Sequence, residues 1–209
     1  MEAAERAAKR HEIASALLLS IAVTFSALCA YEATRWSGEQ SITLAQAAAL
    51  RTESAKALTT GSREITYDTT LFVQLGMAYS QDNILAFELL QDRLARPEFA
   101  RYLDEWIALR PLKNPSAPRT PFELPDYANQ SVEHATELGT EAEKLFVKAK
   151  VANKVGDDFV LATVFFSCVL FFGGIATKFE SRRVTLAMLV TGTAWLLIAV
   201  VRMFTLRFI

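Results

Sequence analysis

Three stretches of this chain carry no charged side chain and no histidine: Ile13–Tyr31, Phe159–Ala176 and Val184–Val201, of 19, 18 and 18 residues. At about 1.5 Å of rise per residue each approaches the roughly 30 Å hydrocarbon thickness of a bilayer. A backbone crossing lipid must satisfy its own polar groups, so runs of this kind are predicted to be transmembrane helices. Composition agrees with a mixed object. The chain is 52% hydrophobic, too apolar for an ordinary soluble domain, yet 22% charged, too polar to lie wholly in lipid. The predicted class is all-α: an integral membrane protein with three transmembrane helices and a helical, coiled-coil-like extracytoplasmic domain. The predicted order is a cytoplasmic N-terminus (1–12), a first span (13–33), an extracytoplasmic domain (34–157), a second span (158–177), a cytoplasmic loop (178–183) and a third span (184–204). A cleaved signal peptide is the competing reading of the first run, since Ala27 and Ala30 are small. Length and flanks favour a retained span.

The polar region has little punctuation. Five of the six prolines fall between Pro111 and Pro125, and glycines number only eight, which favours long helices elsewhere. Thr34–Thr60 is alanine-rich. Ile42, Ala45 and Ala49, with Leu44, Ala48 and Ala55, form a small-residue face there. Gly61-Ser62 is the first expected break. A second helix is expected over Ile65–Leu94, with Leu71, Val73, Leu75, Met77, Ile84, Phe87, Leu90 and Leu94 available for burial. Pro97 ends it or opens the next short helix, in which Phe99, Tyr102, Leu103, Trp106 and Ile107 recur at helical steps. The proline-rich loop 111–127 is expected to run extended, as a connector laid over the helices by Phe122, Leu124 and Tyr127. The sharper alternative is a partner-docking loop, with Asn114, Pro115, Pro118, Pro121, Phe122, Pro125 and Tyr127 as its candidate residues.

One long helix, or two collinear ones, is expected from Ser131 to Phe179. Its polar half carries Ala135, Leu138, Ala142, Leu145, Ala149, Ala152 and Gly156 at alternating steps of three and four. Such a seam of small residues supports close helix pairing. Its candidate partner is the ascending stretch Thr34–Thr60 of the same chain, or the same helix of another subunit.

Orientation follows from the basic residues Arg6, Lys9, Arg10, Lys178, Arg182 and Arg183, which the positive-inside rule places in the cytoplasm. Residues 34–157 are then outside. Tyr31, Trp36, Arg182 and Arg183 are the candidate interface anchors. The net charge of −1 leaves no nucleic-acid footprint. No phosphate loop, metal-spaced His/Cys set or nucleophile elbow is present, so no catalytic residue, cofactor or metal ligand is nominated. Asp157-Asp158 and Asp104-Glu105 read as an interfacial pair and a solvent-facing pair. The spans offer no ionisable relay. Ser15, Thr24, Thr163, Ser167, Thr191 and Thr193 would have to line any passive pore.

The runs Arg96-Pro-Glu-Phe99, Pro111-Leu-Lys-Asn-Pro-Ser-Ala-Pro118, Pro121-Phe122 and Pro125-Asp-Tyr127 resemble a family of uncharacterised small bacterial inner-membrane proteins. Tyr31-Glu-Ala-Thr-Arg-Trp36 and Asp157–Phe166 are similar to that family's first-span exit and second span. The resemblance implies a bacterial inner membrane, one N-terminal span, a helical outer domain and a C-terminal hairpin, and it carries no activity. The expected function is a non-enzymatic membrane scaffold or interaction protein. Its expected partners are lipid and further copies of itself, with another membrane protein as a further candidate. A passive channel or channel accessory is the alternative.

Overall fold

The computed structural model describes residues 2–179 and 181–208, with side chains from residue 9 onward. Met1, the Arg6 side chain of the basic start and Glu180 of the predicted cytoplasmic loop lie outside that set. Five α-helices follow one another: α1 (Glu2–Ser80), α2 (Ile84–Leu89), α3 (Pro97–Ala108), α4 (Gln130–Ala176) and α5 (Arg182–Phe204). No strand occurs among the described residues. Three helices, α1, α4 and α5, are long and apolar enough to cross a membrane. The chain divides into a terminal unit, Met1–Ala47 with Lys144–Ile209, and a central unit, Ala48–Glu143. The stretches 34–47 and 144–157, expected in the outer domain, group with the terminal unit.

The terminal unit is a three-helix arrangement with small residues at its contacts. Leu18, Ala22 and Cys29 of α1 are buried against Phe159, Ala162, Phe166 and Val169 of α4 and Ala199 and Met203 of α5. The Ser15 hydroxyl donates to the Gly173 carbonyl at 2.7 Å. A Cβ on Gly173 would lie 2.9 Å from Leu18 Cδ2, so glycine there lets α1 approach α4. The outward faces are apolar: Ile13, Leu17, Val23, Val160, Phe171, Val190, Leu197 and Val201 are all exposed. A soluble bundle buries such side chains, and one bathed in acyl chains has no reason to.

The central unit corrects the expected break. Helix α1 runs through Gly61 and stops only at Ser80. Gly61 is a close-approach residue: a Cβ there would meet Val132 Cγ2 at 2.6 Å and Asn129 Oδ1 at 2.9 Å. The real stop is the turn at residues 81–83. Asp82 takes a left-handed conformation (φ 52°), and the Asn83 side chain caps α2 by accepting from the Ala86 N–H at 3.1 Å. The expected helix Ile65–Leu94 is therefore three pieces: the end of α1, α2, and a π turn over Leu90–Leu94. Of the side chains expected to be buried in it, Leu71 and Leu75 are, whereas Val73, Met77, Ile84 and Leu94 are exposed. The face expected from Ile42, Ala45 and Ala49 is also exposed. The inward line within the terminal unit includes Thr43 and Ala47. Within the central unit it passes through Leu50, Ser54, Gly61, Glu64 and Asp68 to Leu71 and Leu75.

Pro97 opens α3, and Arg96 before it is extended (ψ 142°), as a residue preceding proline prefers. Phe99 and Leu103 of α3 are buried with Leu71 and Leu75 of α1. The loop after α3 is a chain of turns, and the expected extended path is corrected. Asn114 N–H donates to the Arg110 carbonyl at 3.0 Å, Ala117 N–H to that of Asn114 at 3.1 Å, and Tyr127 N–H to that of Leu124 at 3.0 Å. Proline's fixed φ suits the second residue of a turn as well as a polyproline helix.

Gly61→Ala should lower stability by about 1 kcal/mol net, since overpacking costs about 1–3 kcal/mol and removing a helical glycine returns about 1 kcal/mol. Gly76→Ala, whose Cβ would meet nothing within 4 Å, should raise it. Thermal unfolding of the detergent-solubilised protein by circular dichroism reads both. Equal shifts for the two would show that α1 and α4 are not in close approach at Gly61.

Candidate functional site

Two features of the central unit bring polar or aromatic side chains together. The first is a charged cluster where α1 meets the beginnings of α3 and α4. Arg96 sits on Asp68 through two bonds, Nε to Oδ1 at 3.1 Å and Nη2 to Oδ2 at 2.7 Å. Its other edge reaches Glu64 at 3.5 Å and Glu98 at 3.6 Å. The Asp68 side chain is 1% exposed and that of Arg96 24%. The fork geometry of the guanidinium matches a carboxylate, and a buried carboxylate needs such a partner. Asn129 extends the cluster: its Nδ2 donates to Glu64 at 2.9 Å, and its Oδ1 accepts from Val132 N–H at 3.0 Å, capping α4. The hydrogen bond to Asp68 raises Arg96 further above its ordinary value, with the charge of Glu64 adding to it. Burial, and then the charge of Asp68, pushes the Tyr127 phenol up. A cleft of about 560 Å³ lies beside these groups, reaching Arg101 and Glu133. Asp68, Glu64 and Glu98 are engaged by Arg96, and Glu64 also by Asn129, so the cluster acts as a clasp between three elements.

The second feature is an apolar groove of about 490 Å³ between α1, α2, α3 and the loop that follows. Phe72 meets the Trp106 ring edge-on at 5.2 Å and that of Phe122 at 6.0 Å. Phe122 stacks on Phe99 at 5.2 Å. The Trp106 indole is fixed by donating to the Pro118 carbonyl at 2.8 Å. Arg110 and Lys113 stand on the loop side of the groove.

The nominated residues fall as follows. In the central unit Ala135 and Ala142 are buried, and Leu138 is half-buried. Ser54 donates to the Ala135 carbonyl at 2.7 Å. In the terminal unit Ala149, Ala152 and Gly156 are buried and Leu145 half-buried. Gly156 faces Trp36 Cβ at 3.5 Å and the Ala33 carbonyl at 3.6 Å. These contacts are all with α1 of the same chain. Within the loop, Pro121 is buried and Pro118, Phe122 and Tyr127 half-buried, whereas Asn114, Pro115 and Pro125 are exposed. The loop thus lends about half of its nominated residues to the core. Tyr31, Arg182 and Arg183 are exposed, with the Arg35 guanidinium 5.9 Å from the Tyr31 ring centre. Trp36 is half-buried and donates to the Arg207 carbonyl at 3.0 Å. Asp158 is paired with Arg202, and Asp157 accepts from Asn153 at 2.9 Å. Lys148 bonds Glu39 at 2.7 Å and holds that carboxyl below its usual range.

Asp68, Arg96 and Glu64 were not nominated from the sequence. The signal available was the spacing of Gly61, Glu64, Asp68, Leu71 and Leu75, which repeats in steps of three and four through charged residues. Comparison with known protein families, with curated proteins and with solved structures finds no match to this chain.

Arg96→Ala should cost about 3 kcal/mol, the low end for stripping a buried carboxylate of its counter-ion, because Arg96 is itself part-exposed. Adding Asp68→Leu to Arg96→Met should recover more than half of that loss. Denaturant unfolding of the three proteins tests the assignment, and equal stability of the single and double variants would sink it.

Proposed function

We propose that this chain is a non-enzymatic membrane scaffold or interaction protein, held by three spans in a bacterial inner membrane and assembled from more than one copy. The observation that carries the reading is the surface of the central unit. Ile84, Leu85 and Leu112 there are 71%, 79% and 72% exposed, large apolar side chains left in the open on a unit that buries others. Asp68 and Glu64, which line the cleft of the same unit, are held in the Arg96 clasp, an arrangement suited to structure more than to acid–base chemistry. The hydroxyls in the spans support a scaffold over a pore. Thr24 donates to the Ser20 carbonyl, Thr163 to that of Phe159, Ser167 to that of Thr163, and Thr193 to that of Leu189. The small-residue seam is occupied within the chain, so assembly in this reading uses the exposed faces of the helices.

The bacterial membrane rests on the resemblance of the proline loop and span exits to small inner-membrane proteins. The orientation rests on the basic residues at the N-terminus and around Arg182-Arg183. A cysteine at Ser62 should then react with a membrane-impermeant maleimide in intact cells, and one at Ser181 only after permeabilisation. The reverse pattern would overturn the orientation. Native mass spectrometry from mild detergent should show two or more copies per particle. A strictly monomeric particle that carries no other protein would remove the scaffold reading.

A further inference from the structure

We infer that the apolar groove of the central unit is a binding site for a single-chain anionic amphiphile, its acyl chain lying along Phe72, Phe87 and Trp106 and its acid head against Arg110 and Lys113. Three separate observations lead there. The groove, at about 490 Å³, falls in the range of roughly 300–1,000 Å³ typical of small-ligand sites. Its charge is one-sided: Arg110 and Lys113 stand on the loop side, and none of the described lining residues is a carboxylate.

The second observation is Gly76. It lies inside α1 and lines the groove, yet a Cβ there would meet nothing within 4 Å. A helix-interior glycine weakens its helix, and here no close approach requires one. Its effect is to keep the groove floor bare.

The third is Arg110. It holds a left-handed conformation, φ 49°, just past the end of α3, the position where helices favour glycine. The conformation is fixed by its own N–H to the Ile107 carbonyl and by Lys113 and Asn114 N–H groups to its carbonyl. An outlier of this kind is a reason to look for function. Here the strained position supplies a guanidinium to the groove.

The walls decide between occupants. The Trp106 N–H is already given to Pro118, and apart from Tyr79, Arg110 and Lys113 the other lining side chains are hydrocarbon. A peptide laid there would bury backbone groups without partners. An acyl chain has none to satisfy.

The test uses the full chain in zwitterionic-lipid nanodiscs and a photoreactive diazirine analogue of an 18-carbon fatty acid, with labelled peptides mapped by mass spectrometry. Saturable labelling within residues 72–113 is expected. Gly76→Leu, whose Cβ would meet nothing within 4 Å and whose bulk would enter the groove, should reduce it at least about tenfold. Arg110→Gly should reduce it about tenfold, the loss of one charge-assisted contact, while raising the unfolding midpoint. That combination separates a binding role from a structural one. The uncharged fatty alcohol of the same length should label about tenfold more weakly. Labelling confined to the spans, equal labelling by acid and alcohol, or insensitivity to Gly76→Leu would each overturn the site. So would cross-links from the groove to a second copy in place of the probe. A monomer that still binds the fatty acid would count against the scaffold reading and leave this site standing.

Discussion

A carboxylate with 1% exposure cannot stand alone inside a protein, and the central unit is arranged around satisfying one. Asp68 lies on the inward line of α1, where an apolar residue would have been simpler. Its counter-ion arrives from Arg96, held extended by the following Pro97 at the entrance to α3. The same guanidinium reaches Glu64, and Glu64 accepts from Asn129, which caps α4. One buried charge thereby fixes the relation of three chain segments separated by up to 65 residues. Hydrophobic contact between Leu71, Leu75, Phe99 and Leu103 adds most of the burial. It is non-directional, and it would tolerate a slide of α3 along α1 that the two-pronged Arg96–Asp68 pair does not.

Where sequence reasoning succeeded, the signal was compositional. Uncharged runs of 18 or 19 residues mark three helices of the right length and hydropathy, and the alternating steps from Ala135 to Gly156 mark a line of small residues that lies inward. Aromatic spacing placed Phe99, Tyr102 and Leu103 on one buried face. Membership of a bilayer and the side on which each end lies are not properties that a single chain's packing displays.

Where it failed, the inward face was polar. The inward line of α1 includes the buried Thr43 and Asp68 and the half-buried Ser54 and Glu64, and a search for apolar periodicity passes over it to the exposed Ile42, Ala45 and Ala49. Gly61 was read as punctuation because glycine is a breaker by propensity. Its actual constraint is the distance to Val132, a tertiary fact with no local signature. The true stop at Asp82-Asn83 did carry local turn chemistry, overshadowed by the apolar residues on both sides. For the proline loop, the anchoring side chains Phe122, Leu124 and Tyr127 are legible in the sequence, whereas proline's fixed φ fits an extended path and a turn equally well. Its carbonyls and amides closed into turns because Phe122 and Leu124 had a core to enter.

The terminal unit is assembled from two pieces of chain, residues up to Ala47 and from Lys144 onward, and this sets a schedule for its making. The contacts of Leu18, Ala22 and Cys29 all lie on segments translated after the whole central unit. At synthesis rates of roughly 5–20 residues per second the central unit takes about 5–20 s to make, and the segment up to Ala47 waits that long for its partners from Lys144 onward. The Trp36 indole waits longer still, since the carbonyl it bonds belongs to Arg207. Through that interval the Ser15 hydroxyl lacks the Gly173 carbonyl it later bonds. The cellular environment must tolerate a lone α1 for seconds, which makes the early life of this chain a problem of custody before it is one of stability.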